Sequence, residues 1–302
     1  MDGNSLNGII AVANTPFTDD DKIDTESLRR YVNHSIKCGV VGFLTGGMAA
    51  EVDKLSFDER KIIAETVVDE VAGRVTVIGG ASAKSGEERN KYANMLNEAG
   101  CDGLLVSIPY LDRNQYQQDI YNVAALSPGF LMIQDWDFDG FGIPVDVITE
   151  LFEEIDVFKC LKVEVKPSGV KYTKVIEATE GKLHVSGGWA GTQMIEALDR
   201  GVNAFMPTIL HDIYNTIYRL HKEGNREAAI NLFNQLLPII SFSHQHTDIA
   251  VHFNKRLVHK QGIFSTANVR QPILDFDDYH ERVAEELIED ALKLTRNLDT
   301  YS

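Results

Sequence analysis

The sequence predicts an α/β protein: a closed (β/α)8 TIM barrel of parallel strands followed by a C-terminal helical appendage. Three observations predict it. Short apolar runs of β type alternate with amphipathic helical stretches from residue 9 to residue 222. The runs are rich in Val, Ile, Leu and Gly without strict alternation, which marks strands buried on both faces, as in a parallel sheet. Beyond Asp212 the pattern is helical throughout. Eight strand-plus-helix units that close on themselves make a barrel. A doubly wound open sheet is the alternative, and the missing dinucleotide fingerprint after the first strand weighs against it.

Each unit has its own signals. The first strand is expected over 9–13 and its helix over 25–38, closed by Gly39 as a left-handed cap. The second pairs a strand at 42–45 with a helix at 57–71, opened by a capping box of Ser56 and Glu59. The third is 75–79 and 86–99, closed by Gly100; the fourth is 103–107 and 115–126. The fifth is 130–134 and 145–155, the sixth 158–163 and 170–179. The seventh is 184–186 and 192–200, closed by Gly201, and the eighth 204–207 and 213–222. Helices at 226–242, 247–261 and 277–298 complete the chain, so the barrel spans 1–224 and the appendage 225–302. Nothing between these helices reads as a flexible linker, and packing on the barrel or on a neighbouring subunit is expected.

Composition narrows the function. Lys plus Arg is 29 against 45 Asp plus Glu, a net charge of −16. Such a surface repels phosphate backbones and anionic membranes, so neither nucleic acid nor membrane is an expected partner. No apolar run approaches the roughly 20 residues that span a bilayer. The opening segment lacks the basic stretch and apolar core of a secretion signal, so a soluble, cytoplasmic protein is expected. Cys38, Cys101 and Cys160 are odd in number and far apart, which argues against a disulfide framework or zinc knuckle. His244, His246, His252 and His259 offer no good helical ligand pair and read as a polar helix face or subunit contact. Phosphate-loop, zinc-protease and serine-hydrolase motifs are absent from the sequence.

In such a barrel, chemistry sits at the C-terminal ends of the strands. The most informative stretch there is FKCLKVEVKPSG, residues 158–169, because strand alternation puts Lys162 and Glu164 on one face. Inside a barrel, desolvation disfavours an ammonium, and a neutral amine can add to a ketone to form a Schiff base. On the outside the same letters are a solvated alternation of salt-bridging charges. The segment alone leaves both readings open.

Five stretches resolve the choice by resemblance. They are ANTPFTDDDKIDTESL (13–28), GGMAAEVDKLSFDER (46–60), AGCDGLLVSIPY (99–110), LKVE (161–164) and ALDRGVNAFMP (197–207). In this order they resemble the dihydrodipicolinate synthase and N-acetylneuraminate lyase family across nearly the whole chain. The resemblance implies a TIM barrel with C-terminal helices, a homo-oligomer (tetramer or dimer), no metal or organic cofactor, and Lys162 as the Schiff-base lysine for a 2-keto acid. Departures are equally informative. The family's two hydroxyl residues fall on Met48 and Ala49, its proton-shuttling tyrosine on Gln134, and the second of its tyrosine pair on Leu111. Tyr110 matches the first of that pair. A carboxylate can still bind the backbone N–H groups of the turn Gly47, Met48, Ala49 and Ala50, but no relay can run through Met48.

The combination of Gln134 and Asp135, K-x-E on the sixth strand, and GGWAG at 187–191 is similar to a branch acting on 2-keto-3-deoxy sugar acids, closest to the pentonate dehydratases. The expected function is a Schiff-base lyase on a 2-keto acid, a dehydratase or aldolase. Synthase-like condensation of pyruvate with an aldehyde, and a barrel that only binds its ligand, are the alternatives. Lys162 is the expected nucleophile, with Glu164 and Gln134 as catalytic helpers. Glu164 reads equally as a neutralising partner of Lys162 or Lys166. Tyr110, Asp135, Gly187, Gly188 and Met206 are expected substrate contacts, with Trp136 and Trp189 as candidate pocket walls.

Overall fold

A computed structural model describes residues 6–126 and 128–301. Residues 1–5, which open the segment read for a secretion signal, lie outside the described residues. Strands β1 (Gly8–Val12), β2 (Gly42–Thr45), β3 (Thr76–Gly80), β4 (Gly103–Ser107), β5 (Leu131–Asp137), β6 (Phe158–Val165), β7 (His184–Gly187) and β8 (Ala204–Phe205) pair in sequence order. All pairs are parallel and β8 returns to β1, so the barrel is closed. The intervening helices are α1 (Thr25–Lys37), α2 (Phe57–Val71), α3 (Gly86–Glu98), α4 (Arg113–Ala124), α5 (Val145–Glu154), α6 (Ser168–Ala178), α7 (Met194–Asp199) and α8 (His211–Lys222). Helices α9 (Arg226–Ser243), α10 (Thr247–Lys260) and α11 (Asp278–Arg296) follow. No described helix is long and apolar enough to cross a membrane.

Local chemistry explains the ends. Ser56 and Glu59 form the reciprocal capping box that opens α2. Gly39, Gly100 and Gly201 adopt positive φ just past α1, α3 and α7. The expected start of α4 falls two residues late, because the Asp112 side chain caps the Gln115 N–H at 2.9 Å. Strands β5 and β6 run past their expected ends and stay paired through Asp137 and Val165. Polar, turn-like letters there hide two strands that rise above the barrel rim.

Two apolar clusters share the work. The barrel interior holds Ile10, Val12, Leu44, Ile78, Leu105, Met132, Cys160 and Met206. The larger cluster joins the outer strand faces to the helices and continues into Leu232 and Leu236 of α9, Leu257 of α10 and Ile288 of α11. A buried ion pair between Glu51, just after β2, and Lys255 of α10 adds a polar tie. Glu51 also accepts from the Arg270 N–H at 2.9 Å and lies 3.2 Å from the Lys54 amine.

Two buried histidines make stability pH-dependent. Burial pushes His184, inside the barrel, down to about 4 and His211, at the start of α8, down to about 3, against an ordinary 6.5. Both stay neutral in the folded chain, whereas the unfolded chain binds their protons below about pH 6.5. Their stabilisation is therefore complete above that pH and is lost as pH falls toward 4, by up to roughly 3 kcal/mol each. Urea unfolding should show this decline, and His184→Asn should make it shallower than in the parent chain. Parallel profiles for the two proteins would refute the assignment.

Candidate active site

The site is built on the rim formed by β5, β6 and β7. Ladder pairing sets Lys162 beside Gln134 on one side and Ser186 on the other. Lys162, Glu164 and Gln134 are 7%, 6% and 5% exposed, so the K-x-E face is the barrel interior and not the solvated one. The Lys162 amine lies 3.4 Å from Glu164 Oε2. Gln134 Nε2 donates to that same oxygen, and the Trp189 N–H donates to Oε1 at 2.7 Å. Two hydrogen-bond donors thus hold one carboxylate against one amine.

The GGWAG segment explains itself through that carboxylate. A Cβ on Gly188 would stand 2.0 Å from Glu164 Oε1, so only glycine fits. Trp189 and Ala190 then take positive φ values of 48° and 52°, a conformation that costs non-glycine residues about 1–3 kcal/mol each. A Tyr214 hydroxyl bond to the Ala190 carbonyl at 2.6 Å holds the turn, and the turn aims the Trp189 N–H at Glu164.

The second wall is the turn after β2. Met48, Ala49 and Ala50 form a single 3₁₀ turn, with the Thr15 hydroxyl donating to the Ala50 carbonyl at 2.8 Å. The Ala50 N–H bonds back to the Gly47 carbonyl, which removes Ala50 from the expected set of anion-binding amides and leaves those of Gly47, Met48 and Ala49. Between the two walls opens a cleft lined by Val12, Gly47–Ala49, Lys162, Glu164, Trp189, Ala190 and Met206. Thr208, His244, His246, Thr247 and Ala250 complete its lining.

Several expected contacts lie elsewhere. Asp135 faces outward and is fully buried against Lys171 of α6 at 2.9 Å, and it accepts from the Ile143 N–H. Alternation along β5 forces this, since Gln134 takes the inward position. Burial pushes the Asp135 carboxyl up and the Lys171 amine down, as desolvation of both partners requires. Tyr110 borders a separate cleft with Trp136 and Phe138, edge-on to Tyr116. Gly187 turns outward toward Phe205 and Tyr172. Lys166 is exposed, over the Phe138 ring. Trp136 is 46% exposed, whereas Trp189 walls the cleft.

The histidine cluster divides. His252 and His259 bond to the carbonyls of Leu274 and Phe264 on the far side of α10. His244 and His246 reach the cleft from the α9–α10 turn, a placement that spacing alone does not show. Among the described residues, no group of three or more His, Cys, Asp or Glu is placed to hold a metal.

The closed parallel barrel fixes the fold class, and comparison with known proteins fixes the family. The family model described as the dihydrodipicolinate synthetase family matches residues 5–291, and the chain belongs to that family. It is therefore a lyase of the Schiff-base class. The 4-hydroxy-tetrahydrodipicolinate synthase of Methanosphaera stadtmanae is 26% identical over 95% of this chain and 98% of its own length. The synthase of Methanothermobacter thermautotrophicus is 34% identical over a stretch covering 36% of this chain and 39% of that protein. Among solved structures, dihydrodipicolinate synthase from Rhodopseudomonas palustris superposes with a TM-score of 0.88 at 24% identity, covering 95% of this chain and 98% of its own. N-acetylneuraminate lyase from Fusobacterium nucleatum, complexed with pyruvate, gives 0.83 at 18% identity over 97% of both chains.

The outward course of Asp135 has a measurable consequence. Lys171→Met leaves a buried carboxylate without its partner and is expected to cost about 3–5 kcal/mol in urea unfolding. Replacing both partners, as Lys171→Met with Asp135→Leu, should recover most of that loss. A Lys171→Met chain as stable as the parent would show that the pair is dispensable.

Proposed function

We propose that the chain acts on a 2-keto acid through a Schiff base on Lys162, as a 2-keto-3-deoxy sugar acid dehydratase or aldolase. The observation that carries this reading is the buried Lys162 amine, 3.4 Å from a carboxylate with fixed geometry and open to the cleft. The substrate carboxylate sits on the N–H groups of Met48 and Ala49, oriented amides that bind an anion without a cation. Carbon 2 then faces Lys162. The amine adds to the carbonyl, the oxygen leaves as water after protonation through Glu164, and a cationic iminium remains.

The iminium withdraws electrons from carbon 3. Glu164, restored as the carboxylate, removes a carbon-3 proton and an enamine forms. In dehydration the enamine pair expels the carbon-4 hydroxyl, which takes the proton back and leaves as water. In aldol cleavage no carbon-3 proton is lost, and the carbon-4 hydroxyl gives its proton to Glu164. The carbon-3 to carbon-4 bond breaks to release an aldehyde, and its electron pair leaves an enamine that takes that proton on carbon 3 to restore the iminium. Water finally hydrolyses the iminium and frees Lys162. Gln134 stands where a hydroxyl relay would otherwise run, and its amide donates to Glu164. The acid–base work therefore concentrates on one carboxylate.

Two variants and one trap test this. Incubation with pyruvate and with 2-keto-3-deoxy acids, followed by borohydride reduction, should leave a mass adduct on Lys162 that Lys162→Met abolishes. Glu164→Gln should form the adduct more slowly, still on Lys162, and lower turnover by about 10²–10⁴-fold. Product analysis then separates loss of water from release of an aldehyde. An adduct on another lysine would overturn the nucleophile, and no adduct with any of the acids would favour a barrel that only binds its ligand.

A further inference from the structure

We infer that the α9–α10 turn is the substrate-selecting element of this site, and that His244 and His246 read the hydroxyls of a neutral tail. The substrate class is then a monocarboxylic 2-keto-3-deoxy aldonic acid, not a dicarboxylic or amino-bearing one. This rests on the reading of Lys162 as the Schiff-base lysine.

The tautomers are assigned from the neighbouring hydrogen-bonding groups. Ser243 lies in the last turn of α9, and its single hydroxyl proton is donated back to the Ile239 carbonyl at 2.8 Å. With that proton on the Ile239 carbonyl the Ser243 oxygen is the acceptor for His244 Nδ1, 2.8 Å away, and we assign the His244 proton to Nδ1 on that basis. Nε2 of His244 is left with a lone pair. His246 is the reverse case. As N-cap of α10 it accepts the Asp248 N–H on Nδ1 at 3.1 Å, which puts the proton of the neutral ring on Nε2. Burial keeps His244 uncharged at neutral pH, pushed down to about 4, and Trp189 packs edge-on against its ring.

The two rings therefore offer the cleft one acceptor and one donor, beside the Thr247 hydroxyl. Hydroxyl groups, which donate and accept, match that pair. A second carboxylate does not, because it would face the lone pair of His244. Among the described residues lining the cleft, Lys162 is the one Lys or Arg, and it is consumed by the iminium. A tail ammonium fares no better, since Glu164 already accepts from Gln134 and from the Trp189 N–H.

Borohydride trapping at graded substrate concentration gives the test, with pyruvate as the tail-less reference. The parent chain should reach half-saturation with a 2-keto-3-deoxy aldonic acid at a concentration at least about tenfold below pyruvate, the effect of one added hydrogen bond. The matching aldaric acid should show no such advantage. In His244→Leu and His246→Leu the aldonate-to-pyruvate ratio should fall toward unity. Nitrogen-15 NMR of histidine-labelled parent protein reads the tautomers without any variant, and should find His244 protonated on Nδ1 and His246 on Nε2. A parent preference for the dicarboxylic acid, ratios unmoved in both variants, or the opposite tautomers would each overturn the inference. Loss of the pyruvate adduct itself would instead remove the Lys162 reading on which it depends.

Discussion

The buried ion pair between Glu51 and Lys255 holds the two sides of the cleft in register. Glu51 directly follows the 3₁₀ turn that offers the Met48 and Ala49 amides, and Lys255 lies two turns into α10, whose first residue lines the same cleft. The appendage is thus part of the site's construction. Burying both charges is costly, and the pair is sustained by the Arg270 N–H, by Lys54 and by the Phe17 ring 4.0 Å below the Lys255 amine. Removing one partner would leave an uncompensated charge beneath the carboxylate-binding turn.

A second chain of contacts fixes the acid–base group. Asp135 and Lys171 clamp the loop after β5, with the Lys171 amine donating to the Phe141 and Ile143 carbonyls. That loop presents Phe138, which packs edge-on against Trp189 at 4.5 Å. Trp189 in turn donates its N–H to Glu164. A residue that sequence places among substrate contacts thus serves the site from behind the sheet. The strained left-handed pair Trp189–Ala190 is held between this packing and Tyr214.

Legibility in the sequence follows from the range of the physics involved. Strand and helix order, the capping box at Ser56 and the left-handed glycines are local, and each can be read from neighbouring letters. The inward face of Lys162 and Glu164 is a period-two property of one strand, also local once the barrel is granted. Asp135 misleads because a carboxylate beside an inward glutamine looks available, and its partner Lys171 is 36 positions away on another element. His244 and His246 are hidden for the same reason. Only tertiary packing brings the α9–α10 turn over β6, and no periodicity in 243–248 signals it.

Electrostatics ties these elements to the choice of substrate. A chain of net charge −16 attracts no anion from a distance, so affinity for a keto acid must arise within the cleft. There the positive contributions are the Lys162 amine and the backbone amides of the turn after β2, against one carboxylate in Glu164. The balance accommodates a single substrate carboxylate and leaves nothing to neutralise a second. The proposed iminium would sharpen this, because its cation would reside at the reacting carbon, between the proposed substrate carboxylate and Glu164. Positive charge is at its greatest where electrons must be withdrawn, and the remainder of the cleft is left to apolar walls and neutral hydrogen-bonding groups.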